Sequence, residues 1–222
     1  MTLLAVDTSG PFCSAALYDC VEQRVIGALS EEIGRGHAER LWPMLNEVLG
    51  SANLTWSDIT RLAVVNGPGS FTGLRVGIAS ARGLALARGI PCNGVSVFEA
   101  MVQACGQTGP LAVAMDAKRG EVWFQCFEKT GQAESEPIAC SVTDAANVVR
   151  EAEIDSLVGS GAHLLLSEGD WSAKPTVLAE HASPPIEAVA RHAGRQLPSL
   201  APPVPLYLRA PDAKPQNASL VK

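Results

Sequence analysis

Twice in this chain an apolar run ends in aspartate, passes through a polar turn and continues into a second apolar run. Leu3 to Val6 leads into Asp7-Thr8-Ser9-Gly10-Pro11 and then Cys13 to Tyr18. Leu111 to Met115 leads into Asp116-Ala117-Lys118-Arg119-Gly120 and then Glu121 to Glu128. The two aspartates stand 109 positions apart in a chain of 222, so the unit recurs after about half the length. This reads as an internal duplication in which each half opens on a hairpin of buried strands.

Between the two units the period changes. Arg24 to Ser30 reads as a third strand of a meander. Leu41, Leu45, Val48 and Leu49 fall at the spacing of one helix face, ended by Gly50. Pro43 lies inside that pattern, so the helix begins near Arg40 or kinks there. Leu62 to Val65 is a short strand, and a long helical stretch runs from Ser70 to Arg88, closed by Gly89. Pro91 to Val95 is a strand, and Ser96 caps a helix running to about Cys105. After the second unit come a helix from Thr143 to Glu153, a strand at Ser156 to Val158 and a helix at Pro185 to Gln196. The Pro-rich stretch Pro198 to Pro215 is expected to lie extended on the surface. The expected halves are 1–105 and 106–222.

Composition excludes several classes. Hydrophobic residues make up 47% and charged ones 18%, enough apolar side chain for a core and too little charge for a disordered chain. The net charge is −6, so phosphate backbones repel the chain unless it carries a local basic patch. The N-terminus has no basic segment, Asp7 interrupts it early, and no apolar run is long enough to cross a bilayer. A cytoplasmic protein without a membrane partner is expected. The six cysteines contain no C-x-x-C pair and sit in apolar runs, which favours buried free thiols over disulfides or metal. No two of the four histidines are spaced i, i+4, and no G-x-S-x-G is present, so neither a metalloprotease nor a serine-hydrolase elbow has support.

Three constellations can carry chemistry. Asp7 and Asp116 at strand ends, with Thr8 and Ser9 after the first, suit a cation and phosphate oxygens held across a cleft; equally, they terminate strands and cap turns. Gly67-Pro68-Gly69-Ser70 leads into a helix N-terminus, a natural anion site, but no Gly-Lys-Ser/Thr follows to make a P-loop. Gly73, Gly77, Ala81 and Ala85 recur every four residues. A glycine in a helix costs about 1 kcal/mol against alanine, so a stripe of them implies close approach, either to the chain's own sheet or to a partner helix. Lys118 and Arg119 form a basic turn that meets a phosphate or a partner's carboxylates, or is a solvated hairpin tip.

Asp7-Thr8-Ser9, His37-Ala38-Glu39, the run from Gly67 to Gly77, Asp116 to Val122, and Pro205-Leu206-Tyr207-Leu208-Arg209 follow one another in this order. Together they resemble the bacterial TsaB (YeaZ) family over nearly the whole chain, most specifically in G-P-G-S-F-T-G-L-R and least from Thr130 to Pro203. The resemblance implies an actin/Hsp70-like (ASKHA) duplicated α/β fold, with two mixed-sheet subdomains and flanking helices, the second reduced. It implies a non-catalytic partner of TsaD, with TsaE as a third component, in forming N6-threonylcarbamoyladenosine beside the anticodon of tRNA. Members of the TsaD paralogue carry G-V-N-H-x-x-x-H, whose histidines bind metal; here those positions are Val97 and Met101, so no metal centre is expected.

The same resemblance places the TsaD contact on the first-subdomain helices, at His37, Leu41, Trp42, Leu45 and Val48 and at Gly73, Leu74, Gly77 and Ile78. On that reading a Gly77→Leu substitution breaks the complex and leaves the chain folded, and a homodimer forms when TsaD is missing. The expected nucleotide cleft comprises Asp7, Thr8, Ser9, Gly67, Gly69, Asp116, Lys118 and Arg119. No cofactor of its own is expected; ATP or ADP and Mg belong to the complex, which also holds the tRNA. The alternative is a stand-alone sugar-kinase-like or ATP-hydrolysing enzyme using Asp7 and Asp116.

Overall fold

The computed structural model describes residues 1–106, 110–168 and 170–209. The start of the second half at 107–109 and the end of the Pro-rich stretch at 210–215 lie outside the described residues. Strands β1 (Thr2–Asp7), β2 (Phe12–Asp19), β3 (Arg24–Glu32), β4 (Ile59–Gly67) and β5 (Cys92–Ser96) form one sheet in the order β3-β2-β1-β4-β5. Strands β6 (Leu111–Lys118), β7 (Glu121–Phe127), β8 (Ile138–Ser141), β9 (Ser156–Val158) and β10 (Thr176–Ala179) form the other, in the order β8-β7-β6-β9-β10. Each sheet has an antiparallel meander on one side of its first strand and parallel strands on the other. This repeated topology is the duplicated actin/Hsp70-like architecture. The second copy is the smaller: β8, β9 and β10 have 4, 3 and 4 residues, against 9 each for β3 and β4.

Both faces of each sheet are covered, which the sequence shows as strands apolar at successive positions rather than alternating. Leu4, Val6, Leu17, Leu62 and Val64 pack on helices α1 (His37–Ser51) and α2 (Phe71–Arg88). Leu3, Ala5, Ala63 and Val95 face the other way, onto α3 (Val97–Cys105) and the last helix, α6 (Ile186–Arg195). Leu111, Val113 and Met115 of the second sheet share that same core. The far face of the second sheet is closed by α4 (Val142–Glu151) and α5 (Ala162–Ser167). The layers therefore run α1/α2, first sheet, α3/α6, second sheet, α4/α5.

Two features depart from the sequence reading. Helix α1 begins at His37 and runs through Pro43. Proline has no N–H for the Glu39 carbonyl, and both residues are exposed. Helix α6, expected with the second half, packs against all five strands of the first sheet's core. Its C-terminal carbonyls explain part of this. Arg61 of β4 is only 3% exposed and donates through Nη2 to Ala193 O at 3.1 Å and Gln196 O at 3.0 Å. A buried guanidinium thus sits at the negative end of α6, where it serves Gln196 O and shares Ala193 O with the Gln196 N–H. Strands β8 and β10 and helix α5 carry too few residues for their period to be read from the sequence.

The small-residue stripe of α2 packs inward. A Cβ on Gly73 would collide with the carbonyl oxygen of Thr8, and one on Gly77 would stand 2.5 Å from Thr8 Oγ1 and 3.4 Å from Val64 Cγ2. Gly83, on the same helix, has nothing within 4 Å and is exposed. Helix propensity favours alanine at both Gly73 and Gly83, and only the first has backbone in the way. Gly73→Ala is expected to cost about 2 kcal/mol or more, while Gly83→Ala is expected to stabilise by about 0.5–1 kcal/mol. Urea denaturation of the two variants checks this, and equal shifts would contradict the close approach.

Candidate functional site

The two aspartates make the same local turn. Asp7 Oδ1 accepts from the Ser9 N–H at 2.7 Å, and Asp116 Oδ1 accepts from the Lys118 N–H at 2.8 Å. A carboxylate that holds the amide two residues on is the usual Asx turn, so the duplication extends to hydrogen bonds. The surroundings then differ.

The first turn is closed over. Asp7 is 0% exposed and Thr8 1%. The N-terminal end of α2 lies on them: Thr8 Oγ1 donates to Gly73 O at 2.7 Å, and the Ser70 N–H donates to Ser9 O at 2.7 Å. A Cβ on Gly69 would meet the carbonyl oxygen of Ser9, so glycine is what lets the loop come down this far. From the other side His37 Nε2 stands 3.1 Å from Gly10 O, joining the start of α1 to the same turn. Asp7 Oδ2 is buried without a hydrogen-bond partner. Burial pushes the Asp7 carboxyl above its ordinary value, and the Ser9 hydrogen bonds and the charge of His37 offset this only in part.

The second turn is open. Asp116 Oδ2 pairs with Lys118 Nζ at 2.7 Å, and the Asp116 N–H donates to Ser160 Oγ at 3.1 Å. Burial works against the charge of Asp116, but Lys118 outweighs it and holds the carboxyl below its ordinary value. Between the halves lies a cleft of about 430 Å³ whose walls include Ser9, Gly69, Ser70, Asp116, Lys118 and Trp123. Of the expected cleft residues, Ser9, Gly69, Asp116 and Lys118 therefore come together. Asp7 and Thr8 lie beneath the α2 loop. Gly67 packs on the backbone of Leu206, with φ +125° where only glycine is unstrained, and Arg119 stands at the hairpin tip.

This geometry does not fit a magnesium nucleotide gripped between two aspartates. A hydrated cation needs exposed carboxylate oxygens and room for its waters. One of the aspartates is sealed and the other is already neutralised by a lysine. Among the described residues, no three His, Cys, Asp or Glu side chains converge as metal ligands. Val97 and Met101 are 2% and 0% exposed on α3, so even histidines there would point into the apolar core.

The expected partner residues also divide. His37, Leu41, Leu45, Val48, Gly73, Leu74, Gly77 and Ile78 are buried within this chain, where they hold α1 and α2 on the first sheet. Of the residues expected at a partner contact, Trp42 alone is exposed, at 42%, against Trp56 at 5.8 Å. The Gly73/Gly77 stripe thus seats α2 on the Thr8 turn, and Gly77→Leu disrupts the chain itself rather than only a complex. The outward face of the two helices shows Trp42, expected at a contact, and Phe71, Arg75 and Leu86, not expected there because the period follows the buried stripe.

A family model described as TsaD, tRNA N6-adenosine threonylcarbamoyltransferase, matches residues 17–183. The tRNA threonylcarbamoyladenosine biosynthesis protein TsaB of Escherichia coli is 39% identical over 133 residues, covering 58% of this chain and 56% of that protein. The aligned part thus spans little more than half of that relative. An uncharacterized protein of Mycobacterium tuberculosis is 36% identical over 216 residues, 96% of this chain and 94% of its own. The solved structure of YeaZ from Pseudomonas aeruginosa matches with a TM-score of 0.77 at 29% identity, covering 93% of this chain and 99% of that one.

The chain belongs to the TsaB (YeaZ) family. For this TsaB-family chain the remaining chemistry-bearing groups are quiet. All six cysteines are free. Burial raises Cys13 and Cys126 to about 11 and Cys92 to about 12, which leaves almost no thiolate at neutral pH. His37 bonds to a backbone carbonyl, His163 pairs with Glu180 at 2.7 Å and His192 meets Gln196 at 3.2 Å, so none of these three is held by a hydroxyl or thiol. No helix among the described residues is long and apolar enough to cross a membrane.

The buried Asp7 has a pH signature. Its folded pKa lies above its ordinary value of 3.8, so the native state binds the proton more tightly than the unfolded chain does. Stability is therefore lost as pH rises from 3.8 through the raised value, and the penalty is complete above it. Asp7→Asn keeps the acceptor for Ser9 and removes the charge. The difference in Tm, variant minus wild type, is expected to grow with pH across that window and then level off. A difference that stays flat would mean the carboxylate is not desolvated.

Proposed function

We propose that this chain acts in forming N6-threonylcarbamoyladenosine in tRNA, as a non-catalytic partner of TsaD. The observation that carries the reading is the sealed first turn. Asp7 is 0% exposed, beneath a loop that glycine alone lets approach, so the cleft lacks one of the two carboxylates that a kinase or ATPase on this fold would use. The apolar Val97 and Met101, at the positions where the resemblance puts TsaD's metal-binding histidines, support the same assignment. Nucleotide and magnesium, on this reading, are held by the assembled complex and not by this chain alone, and TsaE acts as the third component in the cytoplasm.

The contact with TsaD uses the outward face of α1 and of α2 beyond Arg75, since Phe71 and Arg75 at the start of α2 are engaged by Tyr207. Its anchor is Trp42, an exposed indole braced by Trp56, whose Nε1 in turn donates to Asn46 Oδ1 at 3.0 Å. Tryptophans of this kind dominate interface energies because they bury a large rigid area. Without TsaD the same face pairs with a second copy of the chain.

Two measurements test the reading. The chain is mixed with its TsaD and TsaE, tRNA, ATP and threonylcarbamoyl-adenylate, and modified adenosine is scored by mass spectrometry. Modification is expected only when the chain is present, with no ATP turnover by the chain alone. Equal modification without it overturns the proposal, and phosphate release by the lone chain revives the sugar-kinase-like or ATPase alternative. Trp42→Ala is expected to weaken the TsaD complex by about 1–3 kcal/mol, roughly five- to a hundred-and-fiftyfold in Kd, with the chain's own Tm within a few degrees of wild type. Calorimetry and thermal melting read the two effects separately.

A further inference from the structure

One edge of this acidic chain gathers cations and rings from three segments far apart in sequence. The first is the opening of α2. The Arg75 guanidinium lies 3.8 Å from the centre of the Phe71 ring, and Arg75 Nε donates to Tyr207 Oη at 3.3 Å. The second is the strap 197–209, which brings the Tyr207 ring to 5.2 Å from that of Phe71, tilted by 35°. The third is the β6–β7 hairpin. Two residues along the strap from Tyr207, Arg209 donates to Ala117 O at 3.1 Å and pairs with Glu121. Lys118 and Arg119 project, exposed, from the same hairpin.

The cations here are Arg75, Lys118, Arg119 and Arg209. Asp116 answers Lys118, Glu121 answers Arg209 and Arg119 is engaged as well, whereas Arg75 is held by rings and the Tyr207 hydroxyl rather than by a carboxylate. Phe71 and Tyr207 remain 38% and 41% exposed. The hairpin tip keeps Lys118 and Arg119 at φ 63° and 60°, ahead of Gly120 at 75°. Asparagine or glycine takes such backbone more easily, so two long cations stand at a turn where smaller residues would relieve strain.

Guanidiniums and ammoniums beside exposed, stackable rings are the physical footprint of single-stranded nucleic acid. Phosphates take the cations, and an unstacked base lies on the aromatic and guanidinium planes. An acidic protein surface would call for the cations but not for the exposed rings. We infer that this edge, made by Phe71, Arg75, Tyr207 and the Lys118-Arg119 turn, contacts an unpaired stretch of RNA. The inference rests on the function proposed above and refines it: part of the tRNA is held by this chain directly, at this edge.

The test uses the full chain in complex with TsaD, with unmodified tRNA as the probe. Arg75→Gln with Arg119→Gln is expected to weaken tRNA binding and to flatten the plot of log K against log salt by about one unit for each phosphate no longer neutralised. Tyr207→Leu is expected to weaken binding about fivefold or more with the slope unchanged, because stacking releases no counterions. Tyr207→Phe and Arg75→Lys are expected to restore the ring and the slope respectively. Thermal melting and size-exclusion chromatography of each variant complex establish that fold and assembly are intact. Wild-type affinity and slope in intact variant complexes overturn the inference and leave the TsaD-partner reading standing. Variants that fail to assemble, yet bind tRNA normally when assembly is forced at high concentration, make the edge a protein contact and overturn it too. A wild-type chain that is dispensable for modification instead removes the function on which the inference rests.

Discussion

Backbone lying against backbone at the end of β1 is the contact on which the rest of the first half depends. Gly69 lies on the carbonyl of Ser9 and Gly73 on that of Thr8, and Gly77 leaves room for the Thr8 side chain. No Cβ fits at these three points, and the hydroxyl of Thr8 reaches back to close the contact with Gly73 O. Helix α2 thereby sits closer to the sheet than a helix of ordinary residues could. Its other inward residues, Leu74 and Ile78, then reach the same apolar layer as Leu41 and Leu45 of α1. The cost is helix propensity, roughly 1 kcal/mol for each glycine, which the packing offsets. The result for function is that the Asp7 turn becomes a buried support.

The halves are held together by chain that returns from the second to the first. Helix α6 fills the space between the sheets, with Ile186, Val189 and Ala190 in the common core, and Arg61 holds its C-terminal carbonyls. Beyond it the strap runs back along β5 and β4. The Cys92 N–H donates to Ser199 O at 3.0 Å, the Leu206 N–H to Asn66 O at 2.7 Å, and Asn66 Nδ2 to Val204 O at 3.1 Å. Arg209 then fastens the strap to the second hairpin. A single segment thus bridges the α2 loop and the Asp116 turn, the two walls of the cleft, and limits how far they can separate.

Charge follows the same division. The chain is acidic overall, and its salt bridges on α1, Arg40 with Glu31 and Glu47, lie at a partly exposed surface where such pairs contribute little stability. The structural charge is Arg61, buried, with Nη2 on the carbonyls that end α6 and Nε left without a partner. The two aspartates that duplication placed in equivalent turns carry opposite perturbations, one raised by burial and one lowered by Lys118. The same Asx turn therefore gives two chemically different groups, because the distant α2 loop buries Asp7 while Lys118, two residues on, supplies a charge to Asp116.

Much of this was readable from the sequence alone. The recurrence of strand, aspartate and turn determined the duplication, since each unit is local and its period is unambiguous. The Ser96 cap and the Gly89 terminus follow from the same short-range chemistry, as the structure's N-cap and left-handed C-cap at φ 63° bear out, and Ser70, read as the first residue of its helix, is its N-cap. The close approach of Gly73 and Gly77 was implied by their spacing, but not what they approach. Only the tertiary structure decided that the stripe faces Thr8, that Asp7 is sealed while Asp116 is open, that α6 belongs against the first sheet, and that Tyr207 stands on Phe71. Each of these is a contact between residues far apart in sequence, from Thr8 with Gly73 to Phe71 with Tyr207. Helical and strand periods say which residues turn inward or outward, but carry no information about the distant segment that meets them.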